Sequence, residues 1–115
     1  MDKEKNYTIN EDEDGLKFIR RVINDQADRE PLRIVEQLVE IAVGEVKDRL
    51  CGLSAVATER HLTVRMRHGG KRIDGRLILI MVDYTDSVDY HPDDDKWVLT
   101  IRRDVPPPSS PDTRL

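Results

Sequence analysis

The sequence predicts an α+β domain: two helices, then a three-stranded antiparallel β-meander, with the long second helix packed on one sheet face. Three observations carry this expectation. Apolar residues recur at three- and four-residue spacing from Leu16 to Leu50, the period of one helix face. They alternate with polar residues from Leu62 to Arg67, the period of a half-buried strand. The Gly69-Gly70 pair follows, and both positions of such a turn can take positive φ.

Residues 1–13 lack apolar periodicity and read as a mobile, acidic N-terminus. Asp14 can cap a short helix whose apolar face is Leu16, Ile19, Val22 and Ile23, with Phe18 to its side. Pro31 suits a second helix start, where its missing N–H is no loss. From there Leu32, Val35, Leu38, Val39, Ala42, Val46 and Leu50 form a stripe ending near Gly52, a glycine suited to a C-terminal cap. Such a helix would hold about 20 residues and span about 30 Å. Ile34, Leu38 and Ile41 make a second seam, which needs the first helix or a second subunit against it.

The glycine turn sets an expected hairpin register. Met66 would face Ile73, Val64 would face Gly75, and Leu62 would face Leu77. Arg67, Arg65 and Thr63 would oppose Arg72, Asp74 and Arg76 on the other face. The second strand would continue through Leu77–Val82, apolar on both faces as in a central strand. Lys96 to Arg102 would form the third. Ile78, Ile80, Val82 and Val98 would then mark the reverse face as an apolar patch needing cover. The domain is expected over 14–104. From Val105 the proline-rich sequence reads as a disordered tail, 105–115.

Composition narrows the function classes. The 115 residues suit one domain, and the charged share of 37% is high. Cys51 is the sole cysteine, so no intrachain disulfide can form and a reducing compartment is expected. It closes an apolar helical pattern and reads as a small buried hydrophobe. The longest apolar run, Leu77–Val82, is too short to span a bilayer as a helix. The expectation is a soluble cytoplasmic protein, or host-cell cytoplasmic if viral, with no membrane partner. The formal charge of −4 conceals local extremes: +5 over residues 60–76 and −6 over residues 83–95.

The Asp-rich segment 83–95 fails the EF-hand pattern, because Val88 or Asp94 falls where the loop glycine belongs. Asp89, His91 and Asp93 alternate and could hold a divalent ion, a minority reading. The favoured one is a solvated connection whose Asp89, Asp93 and Asp94 meet a basic partner. The basic hairpin 60–76 would present Arg65, Arg67, Arg72 and Arg76 on one face, with His68 and Lys71 at its tip. That ribbon could track the phosphates of RNA or DNA. No aromatic is interleaved for base stacking, and the chain is acidic overall. The final residues, "DTRL", resemble a class I PDZ ligand: Thr113 two places before a terminal Leu115.

No H-E-x-x-H, C-x-x-C or G-x-S-x-G motif is present. Neither an enzyme nor a cofactor is expected. The sequence therefore favours a small interaction or accessory protein that binds a protein partner through Ile34, Leu38, Ile41, Ile78, Ile80 and Val82 with the aspartates. Self-association as a homodimer is part of that expectation. Nucleic-acid binding by the hairpin is the alternative, and metal binding at the Asp-rich segment a weaker one.

Overall fold

Asp14 opens the first helix, its carboxylate accepting from the Lys17 N–H at 2.8 Å as an N-cap. The computed structural model describes residues 4–106. Its elements are β1 (Lys5–Thr8), α1 (Gly15–Asn24), α2 (Arg33–Val46), β2 (Leu50–Ala57), β3 (His61–His68), α3 (Gly75–Tyr84), β4 (Ser87–Asp93) and β5 (Lys96–Asp104). Short 3-10 turns at Glu30–Leu32 and Lys47–Arg49 flank α2. The class is α+β with an antiparallel sheet, as the sequence predicts. The element count differs: the described residues form three helices and five strands, the strands in the order β1-β2-β3-β5-β4.

The core lies between the sheet and the helices. Phe18, Ile19, Val22 and Ile23 of α1 and Val35, Leu38, Val39, Ala42, Val43 and Val46 of α2 are buried there. They meet Leu53, Ala55, Ala57, Leu62, Val64, Met66, Leu99 and Ile101 from the strands. Val43 leaves no room at the start of α1: a Cβ on Gly15 would come within 2.7 Å of its Cγ1. Among the described residues, no helix is long and apolar enough to cross a membrane.

Four expectations are overturned. The N-terminal segment contributes an edge strand, β1, paired with β2 from Lys5↔Ala57 to Thr8↔Ser54. Four residues give no visible period when only Tyr7 turns inward. The long helix stops at Val46, and Leu50–Ala57 form a strand whose inward residues are Leu53, Ala55 and Ala57. Leu50 and Cys51 therefore leave the helical stripe; Cys51 sits at a register shift and is exposed.

The third correction concerns the glycine turn. β3 pairs with β2 and β5, not with residues 71–77. Met66 lies opposite Leu53 and Leu99, and Val64 opposite Ala55 and Ile101. The apolar run Leu77–Val82 belongs to α3, so Ile78, Ile80 and Val82 do not lie on the reverse face of the sheet. Short apolar runs do not distinguish a buried strand from a helix.

Finally, the Asp-rich segment is mostly strand. β4 pairs with β5 from Ser87↔Arg102 to Asp93↔Lys96. Asp94 turns the hairpin with φ 55°. Aspartate disfavours strands in general, but here it lines an edge strand, where charge discourages pairing with another chain.

The opposite sheet face is polar. Ser54, Arg65, Thr100 and Asp89 are in register across it, as are Gly52, Arg67, Val98 and His91. Val98 is buried there, between its register partners Arg67 and His91.

Candidate docking surface

α3 starts at Asp74-Gly75. The Asp74 carboxylate accepts from the Arg76 N–H at 2.9 Å and from its guanidinium Nη2 at 3.0 Å. These hydrogen bonds hold the Asp74 carboxyl below its ordinary pKa and lift that of Arg76. At the far end, the Thr85 N–H and hydroxyl both donate to the Met81 carbonyl, at 3.0 and 2.7 Å. Between these caps only Leu77 and Met81 are buried. They lie four residues apart, on one face.

A polar network fixes the segment leading into this helix. His68 is fully buried. Its Nδ1 lies 2.9 Å from the Gly69 carbonyl oxygen, which can only accept, so Nδ1 carries the proton. In the neutral imidazole Nε2 then accepts from the Tyr90 hydroxyl, 2.8 Å away. The same hydroxyl oxygen accepts from the Ile73 N–H at 2.8 Å. Burial pushes the Tyr90 phenol above its ordinary pKa. One chain of hydrogen bonds thus ties β3, β4 and the entry to α3 together.

Arginines brace the same connector. Arg49 donates to the carbonyls of Gly69 and Lys71, at 3.1 and 2.7 Å. Arg72 places its guanidinium carbon 5.6 Å from the Tyr90 ring centroid and 6.0 Å from that of Trp97, within cation–π range. From α2, Glu45 Oε1 accepts from the Asp74 N–H at 2.9 Å. Residues 69–74 are therefore a braced lead-in to a helix.

What this scaffold presents is apolar. Leu79 is 65% exposed, Ile80 45%, Val82 53% and Tyr84 56%. Ile41 of α2 is 56% exposed. It precedes Glu45 by four residues and so shares the α2 face that reaches Asp74. Arg76 and Asp83 are exposed on α3 beside these residues.

The sequence-derived candidates scatter around this surface. Ile41, Ile80 and Val82 belong to it. Leu38 is in the core, Ile34 is half-buried, and Ile78 is half-buried against the core. The expected basic ribbon does not form. Arg65 and Arg67 lie on the open sheet face, His68 is interior, and Lys71, Arg72 and Arg76 belong to the connector and α3. The basic and acidic segments meet, with Arg67 3.6 Å from Asp93. The order β3-β5-β4 leaves a single strand between them.

Asp89 and Asp93 face outward from β4, and Asp94 occupies the turn. His91 Nδ1 lies 3.1 Å from Asp89 Oδ2. Among the described residues, no group of three His, Cys, Asp or Glu side chains is placed to share a metal ion. Thr113 and Leu115 lie outside the described residues.

Leu79, Tyr84 and the His68–Tyr90 bond were missed by sequence reasoning. A helical reading of Asp74-Gly75 as cap and first residue would have turned Leu79 outward. No family model matches the chain, and no curated protein sequence matches it.

Proposed function

We propose that this chain is a non-enzymatic interaction protein that docks on a protein partner through α3 and Ile41. One observation carries the reading: a ten-residue helix presents Leu79, Ile80 and Val82 to solvent in a chain that is 37% charged. A helix apolar on nearly all sides is normally buried, and a contiguous exposed apolar patch marks an interaction site. Arg76, Asp74 and Asp83 supply a polar rim, the usual anatomy of a protein interface. The His68–Tyr90–Ile73 network and the Arg49 and Glu45 bonds hold the helix in place before binding, which lowers the ordering cost of association.

The open sheet face supports this reading over nucleic-acid binding. Its Arg67 is paired with Asp93 and its Arg102 with Asp104, and among the described residues it presents no Phe, Tyr or Trp ring for stacking. A single cysteine suits a reducing, cytoplasmic setting for the role.

The test is affinity capture from the native cell with the intact chain and with Leu79→Glu/Ile80→Glu, both checked for folding by circular dichroism. The docking reading expects a protein retained by the first and lost by the second. Identical captured sets would overturn it.

A further inference from the structure

Resting on that docking reading, we infer that the occupant of the α3 face is the α3 helix of a second copy, packed antiparallel about a two-fold axis between Leu79 and Ile80. The argument starts from helix geometry. Arg76, Leu79, Ile80 and Asp83 fall within an arc of about 100°, centred about 130° around the helix from the buried Leu77 and Met81. Their positions are symmetric about the helix midpoint. In an antiparallel pair, Leu79 therefore faces Ile80 of the other copy, and Arg76 faces Asp83 of the other copy. Each contact occurs twice, as an isologous interface requires. The two apolar residues form its centre and the two ion pairs its ends.

The charges are oriented for such a pair and not for the helix itself. A helix favours acids in its first turn and bases in its last. The first turn of α3 has no acid and the last turn has no base. Instead Arg76 stands near the start and Asp83 near the end. Among the described residues, Asp83 has no ion-pair partner. Arg76 engages Asp74 through Nε and Nη2, and its side chain is still 89% exposed. Nη1 has no partner among the described residues, so the guanidinium can receive a second carboxylate. A second copy supplies that carboxylate and, in return, a base for Asp83.

The test is sedimentation equilibrium of the intact chain, alone and in mixtures. The chain is expected to form dimers. Arg76→Glu places Glu against Asp83 twice, and Asp83→Arg places Arg against Arg76 twice. Each variant alone is expected to dimerise at least about tenfold more weakly. An equimolar mixture of the two restores opposite charges at both ends, so heterodimers should form within about threefold of the original affinity. Both substitutions suit the helix dipole; because Arg76→Glu also removes the bond to Asp74, circular dichroism of each variant checks that α3 is retained.

A monomeric chain at its highest soluble concentration would overturn the second-copy proposal. So would a mixture that associates no better than its parts. If a monomeric chain still captures a protein that Leu79→Glu/Ile80→Glu loses, the second copy is wrong and the docking surface stands. If dimerisation ignores the charge variants and Leu79→Glu/Ile80→Glu alike, the pairing through α3 is wrong, and equal capture by the double variant would remove the docking reading too.

Discussion

α1 and α3 each span ten residues, and each follows an aspartate N-cap, yet they divide their side chains differently. α1 buries Gly15, Phe18, Ile19, Val22 and Ile23. Its outer face carries Arg20 and Arg21, which reach Glu40 at 3.0 Å and Glu13 at 2.8 Å. α3 buries Leu77 and Met81 and turns Leu79, Ile80 and Val82 outward. α1 is amphipathic and complete within one chain. α3 has two apolar sides and one sheet to cover them. Its fixation relies on polar bonds at its entry, chiefly those of Tyr90, Arg49 and Glu45. The comparison suggests that burial holds the first helix, whereas a hydrogen-bonded connector aims the second.

The largest expected effect tests the buried half of that comparison. Phe18 is fully buried, and Phe18→Ala should cost about 3–5 kcal/mol through lost transfer and a residual cavity. Urea denaturation of the dilute protein measures it. A loss no greater than that from Leu79→Ala would break the contrast between the helices. Next in size is Tyr90→Phe, expected to cost about 1–3 kcal/mol. The ring keeps its place beside Trp97 and Arg72, but the Ile73 N–H and His68 Nε2 lose their shared partner. Hydrogen exchange should quicken at Ile73 and through α3 while α1 is unchanged. Uniform acceleration in both helices would deny the connector its special role.

Why α1 was legible in the sequence and α3 was not follows from the same contrast. Leu16, Ile19, Val22 and Ile23 announce one buried face because Arg20, Arg21 and Asn24 occupy the other. Leu77 to Val82 announce nothing of the kind, since six consecutive apolar residues match a central strand equally well. The Gly69-Gly70 pair then made a hairpin attractive. Only tertiary pairing excludes it, because β2 and β5 occupy both edges of β3. β2 was hidden by small inward residues, Ala55 and Ala57, following directly on a helical stripe. β4 was hidden by aspartates whose outward placement makes them compatible with a strand. The alternation of Leu62, Val64 and Met66 was readable because each polar neighbour faces solvent or the open sheet face. Of the proposed docking surface, Ile41, Ile80 and Val82 stood out in the sequence as apolar residues needing cover. The helix that carries Ile80 and Val82 did not.

Acid sharpens the comparison from another side. The Arg21 guanidinium holds Glu13 below its ordinary 4.5, and the Tyr7 hydroxyl holds Asp25 below its ordinary 3.8. Arg76 does the same for Asp74 at α3. A carboxyl depressed in the folded state binds fewer protons there than in the unfolded chain. Its stabilisation is complete above the ordinary value and is lost as pH falls through the folded one. Stability should therefore decline with acid below about pH 4.5. Asp25→Asn should flatten that decline while leaving α3 exchange rates unchanged, and Asp74→Asn should act mainly on α3. Acid titration monitored by hydrogen exchange distinguishes them. Equal responses of both helices to either change would show that the ionic braces are not local.

The smallest effect on the fold is expected at Leu79, at the centre of the proposed docking surface. Leu79 is 65% exposed, so Leu79→Gln removes little buried surface, and the two residues have similar helix propensity. Its cost to the dilute monomer should stay under about 1 kcal/mol. A side chain retained for packing within the chain would not behave this way. The same substitution should alter how thermal stability depends on concentration. If copies associate through α3, the Tm of the parent chain rises with protein concentration, because association favours the folded state. The Tm of Leu79→Gln should rise less. A variant as stable as its parent when dilute, but falling behind as concentration rises, would separate what α3 does for its own chain from what it does for a neighbour.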